Sequence, residues 1–205
     1  MKKPKYTTEH RFRIANWIVL AAILLINSYT ALAPLLPKLQ FWLENRGGHK
    51  AHSLQAIVHT KPSKTSDDPL AGTNHIVIPS MLLNEPIYGG TSESALNKGI
   101  WRRPNTSTPD KGSNTVLVAH RYTYTNPRGT FYYLDKVKPG DDIALFWEGK
   151  KYTYTVTGTK TVAATQVEVE APTPNSILTL YTCTPLWLPK DRLVVTAELK
   201  GTEKA

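Results

Sequence analysis

The sequence predicts an all-β domain, a barrel or sandwich, carried behind one N-terminal apolar helix. Three observations predict it. From His75 onward, short apolar runs are punctuated by Pro, Gly, Asn and Asp, giving about seven short strands in roughly 130 residues. Upstream, no charged residue occurs between Arg13 and Lys38, and Ile14 to Ala33 is rich in Ile, Leu, Val and Ala. As a helix, that stretch spans about 30 Å, the thickness of a bilayer's hydrocarbon core.

Residues 1–13 form a basic leader, residues 14–36 the anchor, residues 37–72 a stalk, residues 73–200 the domain and residues 201–205 a polar tail. Positive charge just before the anchor stays cytoplasmic, which puts everything after Lys38 outside the membrane in a single-pass arrangement. Ala31-Leu32-Ala33 also fits a signal-peptide cleavage pattern, although Pro34 follows it. Both readings export the domain. The formal charge is +9, and its distribution excludes a nucleic-acid partner. Residues 1–13 hold +4 and residues 14–64 another +4, so only +1 remains for the rest, whereas a nucleic-acid binder concentrates basic residues on its folded surface.

The stalk mixes Lys, Gly, His, Ser, Asp and Pro, with one short amphipathic piece over Ala51 to His59. Its histidines, His49, His52 and His59, lack ligand spacing and cysteine companions, so no metal is expected on them; no cofactor is expected elsewhere, and the sequence is silent on calcium dependence. In the domain, His75 to Ile78 is a strand ended by Pro79, and Thr115 to Ala119 is a strand that runs into His120. Ile143 to Trp147 and Lys151 to Thr157 flank Glu148-Gly149-Lys150 as a hairpin. Tyr152, Tyr154 and Val156 alternate with threonines in its second arm, the period of a strand with unlike faces. Ile177 to Thr182 and Leu193 to Leu199 complete the strands. Ser92 caps a short helix through Ala95 and Leu96 that stops at Gly99, and another turn falls at Thr130 to Leu134.

The chain holds one cysteine, Cys183, at the end of a strand, and Arg192 opens the next strand. If those strands pair antiparallel, thiol and guanidinium meet at one rim. A barrel in which the His120 strand runs the same way as the Cys183 strand brings the imidazole there too. These types suit acyl transfer. A thiol needs a proton acceptor or a positive neighbour to react quickly, and His120 supplies either and can then protonate a leaving amine. Arg192 stays charged and can donate to an oxyanion. Spacing alone leaves structural alternatives open: a buried cysteine, a hydrogen-bonded histidine, and an Arg192 paired with Asp191 at the surface.

Thr179-Leu180-Tyr181-Thr182-Cys183 resembles the T-L-x-T-C signature of the sortase family, and Val118-Ala119-His120-Arg121 its histidine segment. Ile76 to Pro79, Ala95 to Gly99, Gly140 to Ile143 and Arg192 to Val195 follow in family order, so the resemblance spans roughly residues 73–200. It implies the eight-stranded sortase β-barrel, with Cys183, His120 and Arg192 as catalytic residues and Thr182, Tyr181 and Thr184 as substrate or oxyanion support. It further implies cleavage of an L-P-x-T-G or L-A-x-T-G sorting signal after the threonine, a thioester on the cysteine, and transfer to an amine. That amine belongs to a peptidoglycan precursor or a pilin lysine, and the partners are proteins bearing the signal. Cys183-Thr184-Pro185-Leu186-Trp187 with an early arginine looks most like class E. The alternatives are a pilin-polymerising sortase, which the absence of a second membrane span disfavours, and a non-enzymatic anchored binding module with a structural cysteine. An L,D-transpeptidase does not fit, because Leu180 to Pro185 lacks its Ser-x-Gly-Cys pattern.

Overall fold

The structure is a computed structural model that describes residues 8–36, 39, 42–43, 73–123, 131–186 and 188–205. The chain divides into two compact units at His49 and Lys50. In the first, α1 covers Thr8–Leu32 and a 3-10 turn covers Ala33–Leu35. The helix starts six residues before the expected anchor, so part of the basic leader is helical. Its segment Glu9–Leu32 is long and apolar enough to cross a membrane. Most of the expected stalk, including the piece at Ala51 to His59, lies outside the described residues.

The second unit is a closed barrel of eight strands: β1 (His75–Ile78), β2 (Leu83–Tyr88), β3 (Ile100–Arg102), β4 (Asn114–Val118), β5 (Asp142–Trp147), β6 (Lys150–Ala163), β7 (Ile177–Thr184) and β8 (Asp191–Lys204). They close in the order β1-β2-β3-β4-β7-β8-β6-β5. The barrel core is built from alternate inward residues, among them Ile76, Ile78, Leu117, Ile143, Leu145, Tyr154, Leu178, Leu180 and Val195. The expected hairpin is a two-residue turn: Trp147 pairs with Lys150, and Glu148 and Gly149 both take positive φ, 50° and 72°. Two such residues define the turn whose twist matches the flanking strands.

Three sequence expectations need correction: the missed strands β2 and β3, and the ends of β6 and of β8. β2 and β3 were not among the predicted strands. β2 holds Pro86, which removes a ladder donor; because the neighbouring Ile87 N–H points to β1, donating to Asn74 at 2.8 Å, the missing donor faces the other side, where β3 pairs only with Ile87 and Tyr88. β6 runs on to Ala163, past Gly158, which sits at a register shift in the β6–β8 ladder. β8 likewise runs through the expected polar tail to Lys204. The short helix expected after Ser92 is present as a 3-10 helix, Glu93–Lys98, ending at Gly99, with the Ser92 hydroxyl accepting from the Ser94 N–H at 3.2 Å. Thr130 lies outside the described residues, and the nearby 3-10 turn is Leu134–Lys136.

Candidate active site

β7 carries the thiol and is paired on both sides at its C-terminal end. Leu178 and Leu180 are fully buried in the core, so Thr179, Tyr181 and Cys183 occupy the opposite, outward face. β8 pairs antiparallel with Cys183 directly across from Arg192 and Thr184 across from Asp191. Direct partners share a face with Cβ atoms about 5 Å apart, so thiol and guanidinium meet at the rim. Both residues are half-buried. Arg192 donates through Nη1 to the Asp191 carbonyl at 3.1 Å. Among the described residues it makes no ion pair, so the surface pair with Asp191 is not formed.

β4 lies on the other side of β7, and the two run parallel with Val118 level with Tyr181. β4 ends at Val118, and His120 follows it by two residues, as Cys183 follows Tyr181 on β7. The last ladder bond joins the Ala119 N–H to the Tyr181 carbonyl at 3.5 Å. The Thr182 hydroxyl donates to the Ala119 carbonyl at 2.8 Å, and the Phe131 N–H to the His120 carbonyl at 3.0 Å. Next to it, Arg121 Nη2 pairs with Asp135 at 2.7 Å. The backbone around His120 is thus held from β7, from Phe131 and from the 3-10 turn holding Asp135. Burial pulls the His120 imidazole below its ordinary pKa, which favours the neutral ring, the form able to accept a proton.

The support residues named from the sequence fall in three different environments. Thr182 is buried, and its hydroxyl bond to the Ala119 carbonyl braces the segment that leads from β4 into His120. Thr184 is the last residue of β7, half-buried at the rim. Tyr181 lies outward beside Cys183, and its phenol donates to Glu170 Oε1 at 2.5 Å. Glu170 also pairs with Arg103 at 2.9 Å, and the Arg103 guanidinium lies 5.0 Å from the centre of the Trp101 ring. Glu170 closes the 3-10 helix Val167–Glu170 in the β6–β7 connection. The flanking carbonyls of Val169 and Ala171 both accept from the Asn114 amide at 3.0 Å. Asn114 in turn accepts from Thr179 at 2.8 Å. Ala95, Trp101 and Val118 pack as a second apolar cluster on this outer face, with Leu96 and Tyr181 against it.

Sequence reasoning gave no role to Arg103, Glu170, Arg121, Asp135 or Asn114. Arg121 stood inside a quoted motif, but nothing in the chain's spacing ties it to Asp135. Glu170 and Arg103 are 67 positions apart, and no local pattern marks them as partners.

The Sortase domain family model matches residues 76–200. The chain is 34% identical over 137 residues to Sortase A of Listeria monocytogenes, an alignment covering 67% of this chain and 60% of that protein. It is 30% identical over 179 residues to Sortase SrtE1 of Streptomyces coelicolor, covering 76% of this chain and 50% of that one. The chain therefore spans about half to three-fifths of the length of these curated relatives. Among solved structures, Listeria monocytogenes sortase A superposes with a TM-score of 0.58 at 31% identity, covering 65% of this chain and 90% of that one. Streptococcus pneumoniae sortase C gives a TM-score of 0.59 at 32% identity, with 65% and 70% covered.

Proposed function

The chain belongs to the sortase family, and from that membership and its rim chemistry we propose that it is a membrane-anchored cysteine transpeptidase acting outside the cell. The observation that carries the reading is the register at the rim. Cys183 has Arg192 directly across on β8, and His120 follows the end of β4, the strand paired with β7 on the other side, which supports bringing the three groups together. A nucleophile, a proton carrier and a fixed cation are the three groups that acyl transfer at an amide requires.

In the proposed reaction the neutral His120 ring accepts the Cys183 proton as sulfur attacks the carbonyl of the threonine in an L-P-x-T-G or L-A-x-T-G signal. Arg192 donates to the oxygen that becomes negative. The imidazolium then returns its proton to the departing glycine nitrogen as the C–N bond breaks, leaving a thioester on Cys183. An acceptor amine attacks that thioester, passes its proton to His120, and the proton returns to sulfur as the new amide forms. These side chains supply every group used, so the reaction calls on no cofactor. The acceptor is an amine of a peptidoglycan precursor or a pilin lysine. The Cys183 to Trp187 pattern favours class E and thus L-A-x-T-G, with anchoring of surface proteins ranked above pilus assembly. The N-terminus stays cytoplasmic, α1 crosses the membrane once and the barrel lies outside, in keeping with the basic leader.

The test is intact-mass spectrometry of the full chain in detergent, incubated separately with each peptide, with Cys183→Ala as control. An adduct ending at threonine, on Cys183 only and discharged by an added amine, is the expected result. A folded protein that gives no adduct with either peptide and resists alkylation of its thiol sinks the reading in favour of a structural cysteine.

A further inference from the structure

The charged groups on the outer face beside the thiol raise a question of balance. Arg192 must remain available at the rim, yet Glu170 bonds to a side chain on the same face of β7. Its carboxylate touches the Tyr181 phenol at 2.5 Å. Tyr181 stands two residues before Cys183 on the same face, which makes it the diagonal neighbour of Arg192 across the β7–β8 ladder. Such neighbours have Cα atoms about 7–8 Å apart, within reach of long side chains. The charge of Arg192 is felt at that phenol, as are those of Glu170 and Arg103. Glu170 nevertheless pairs with Arg103, at 2.9 Å.

We propose that Arg103 partitions charge at this rim: by holding Glu170, it keeps that carboxylate from pairing with Arg192 and so leaves Arg192 free for the reacting carbonyl. Arg103 is a positioning residue acting through Glu170, and the role rests on the transpeptidase reading above. Three features of the structure make it effective. Arg103 is fixed over the Trp101 ring, whose Nε1 donates to the Gly90 carbonyl at 3.0 Å. Asn114 holds the backbone on both sides of Glu170, so the carboxylate cannot retreat from the face. Of the other charged groups, Glu93 acts on Arg103 and Arg192 on the Tyr181 phenol, while the neighbouring Arg102 is turned to the carbonyls of Arg103 and Thr106. Removing Arg103 leaves Glu170 bonded to the Tyr181 phenol alone, whose diagonal neighbour across the β7–β8 ladder is Arg192. An oxyanion donor is worth roughly a hundredfold to a thousandfold in rate, so diverting Arg192 is costly even when diversion is partial.

The experiment uses the full chain in detergent with a sorting-signal peptide and an amine acceptor. Arg103→Met keeps an apolar stem over Trp101 and is expected to lower kcat at least about tenfold with a smaller change in KM. Glu170→Gln, which still accepts from Tyr181 but carries no charge, is expected to stay within about threefold of wild type, and the double variant to recover to that level. Arg103→Lys keeps the cation and is expected to do the same, which keeps the proposal testable should Arg103→Met not fold. A double variant no better than Arg103→Met, or Glu170→Gln or Arg103→Lys as impaired as Arg103→Met, would overturn the proposal. Normal turnover in a folded Arg103→Met overturns it alone. A wild type that forms no Cys183 adduct overturns the transpeptidase reading and this role with it.

Discussion

Replacing Thr182 with valine tests whether His120 is held in place through β7. The side chain is 1% exposed, and its hydroxyl donates to the carbonyl of Ala119, itself 1% exposed, at 2.8 Å. Valine keeps the shape and removes the donor, leaving a buried acceptor without that bond. Losing the hydrogen bond costs about 0.5–1.5 kcal/mol net, and stranding a buried carbonyl raises the cost to about 1–3 kcal/mol. For a domain of this size each kcal/mol lowers Tm by about 3–5 °C, so a fall of about 3–15 °C is expected. Activity should fall more than stability alone explains, because Ala119 is the last residue before His120 and proton transfer depends on its position. A loss of about tenfold to a hundredfold in kcat/KM is expected, within the range that a positioned acid-base group contributes. A quenched peptide carrying the sorting signal gives the rate, and a thermal melt gives the stability. Thr182→Ser, which restores the hydroxyl, should recover most of both. Wild-type kcat/KM in a Thr182→Val protein whose Tm has dropped would refute the idea that this bond positions the imidazole.

Three further outcomes follow from the same geometry. Cys183→Ala should abolish turnover and acyl-adduct formation, while His120→Ala and Arg192→Ala should each lower kcat/KM at least about a hundredfold; near-normal turnover in Arg192→Ala removes that residue from the mechanism. Because burial lowers the His120 pKa, the ring is neutral above its ordinary value of about 6.5 and gains a proton only at lower pH. The acid limb of kcat/KM should therefore fall below about pH 6.5, and a limb centred above pH 7 would contradict a neutral resting base. Leu180→Ala empties a fully buried core position directly behind the outward face of β7 and should cost about 2–5 kcal/mol in urea unfolding, whereas less than about 1 kcal/mol would mean that the core closes around the gap.

Residues whose partners are local were the legible ones. The β5–β6 hairpin, the Ser92 cap and the ends of β1 could be read because a turn pair, a hydroxyl or a proline announces each within a few positions. Cys183, His120 and Arg192 could be placed because each stands where an apolar run stops or starts, and strand ends gather at barrel rims. β2 and β3 were hidden for opposite reasons: one contains a proline that sits on an unpaired side, and the other is too short to show a period. The expected strands stop at Thr157 and Leu199, each just before a glycine, yet β6 and β8 continue through Gly158 and Gly201. The Arg103–Glu170–Tyr181 network was illegible because it joins the segment after β3, the β6–β7 connection and β7. Such pairings depend on which strands become neighbours, and that is decided by the whole chain.

The order of strands explains why one rim gathers three kinds of group. β7 has a parallel neighbour that ends opposite Tyr181, two residues before the thiol, and an antiparallel neighbour that begins at its own end. A thiol at the end of such a strand therefore receives one side chain from a strand that is finishing and one from a strand that is starting. Because side chains alternate, a slip of one residue in β8 would place Asp191 or Leu193 across from Cys183 and turn Arg192 to the other face. The β6–β8 ladder guards against this with two compensating irregularities. Between Thr153 and Tyr154 the register loses a residue on β8, and between Val156 and Gly158 it loses one on β6. The pairing sum returns to its starting value, so Val162 meets Arg192 and Ala163 meets Asp191 in the register set at the hairpin end by Lys150 and Lys204. Leu193, Val195 and Ala197 can then face the interior along β8 while Arg192 faces out beside the thiol. The barrel's packing and the placement of its cation are thus one constraint, since the register that buries the β8 leucine and valine is the register that presents the guanidinium.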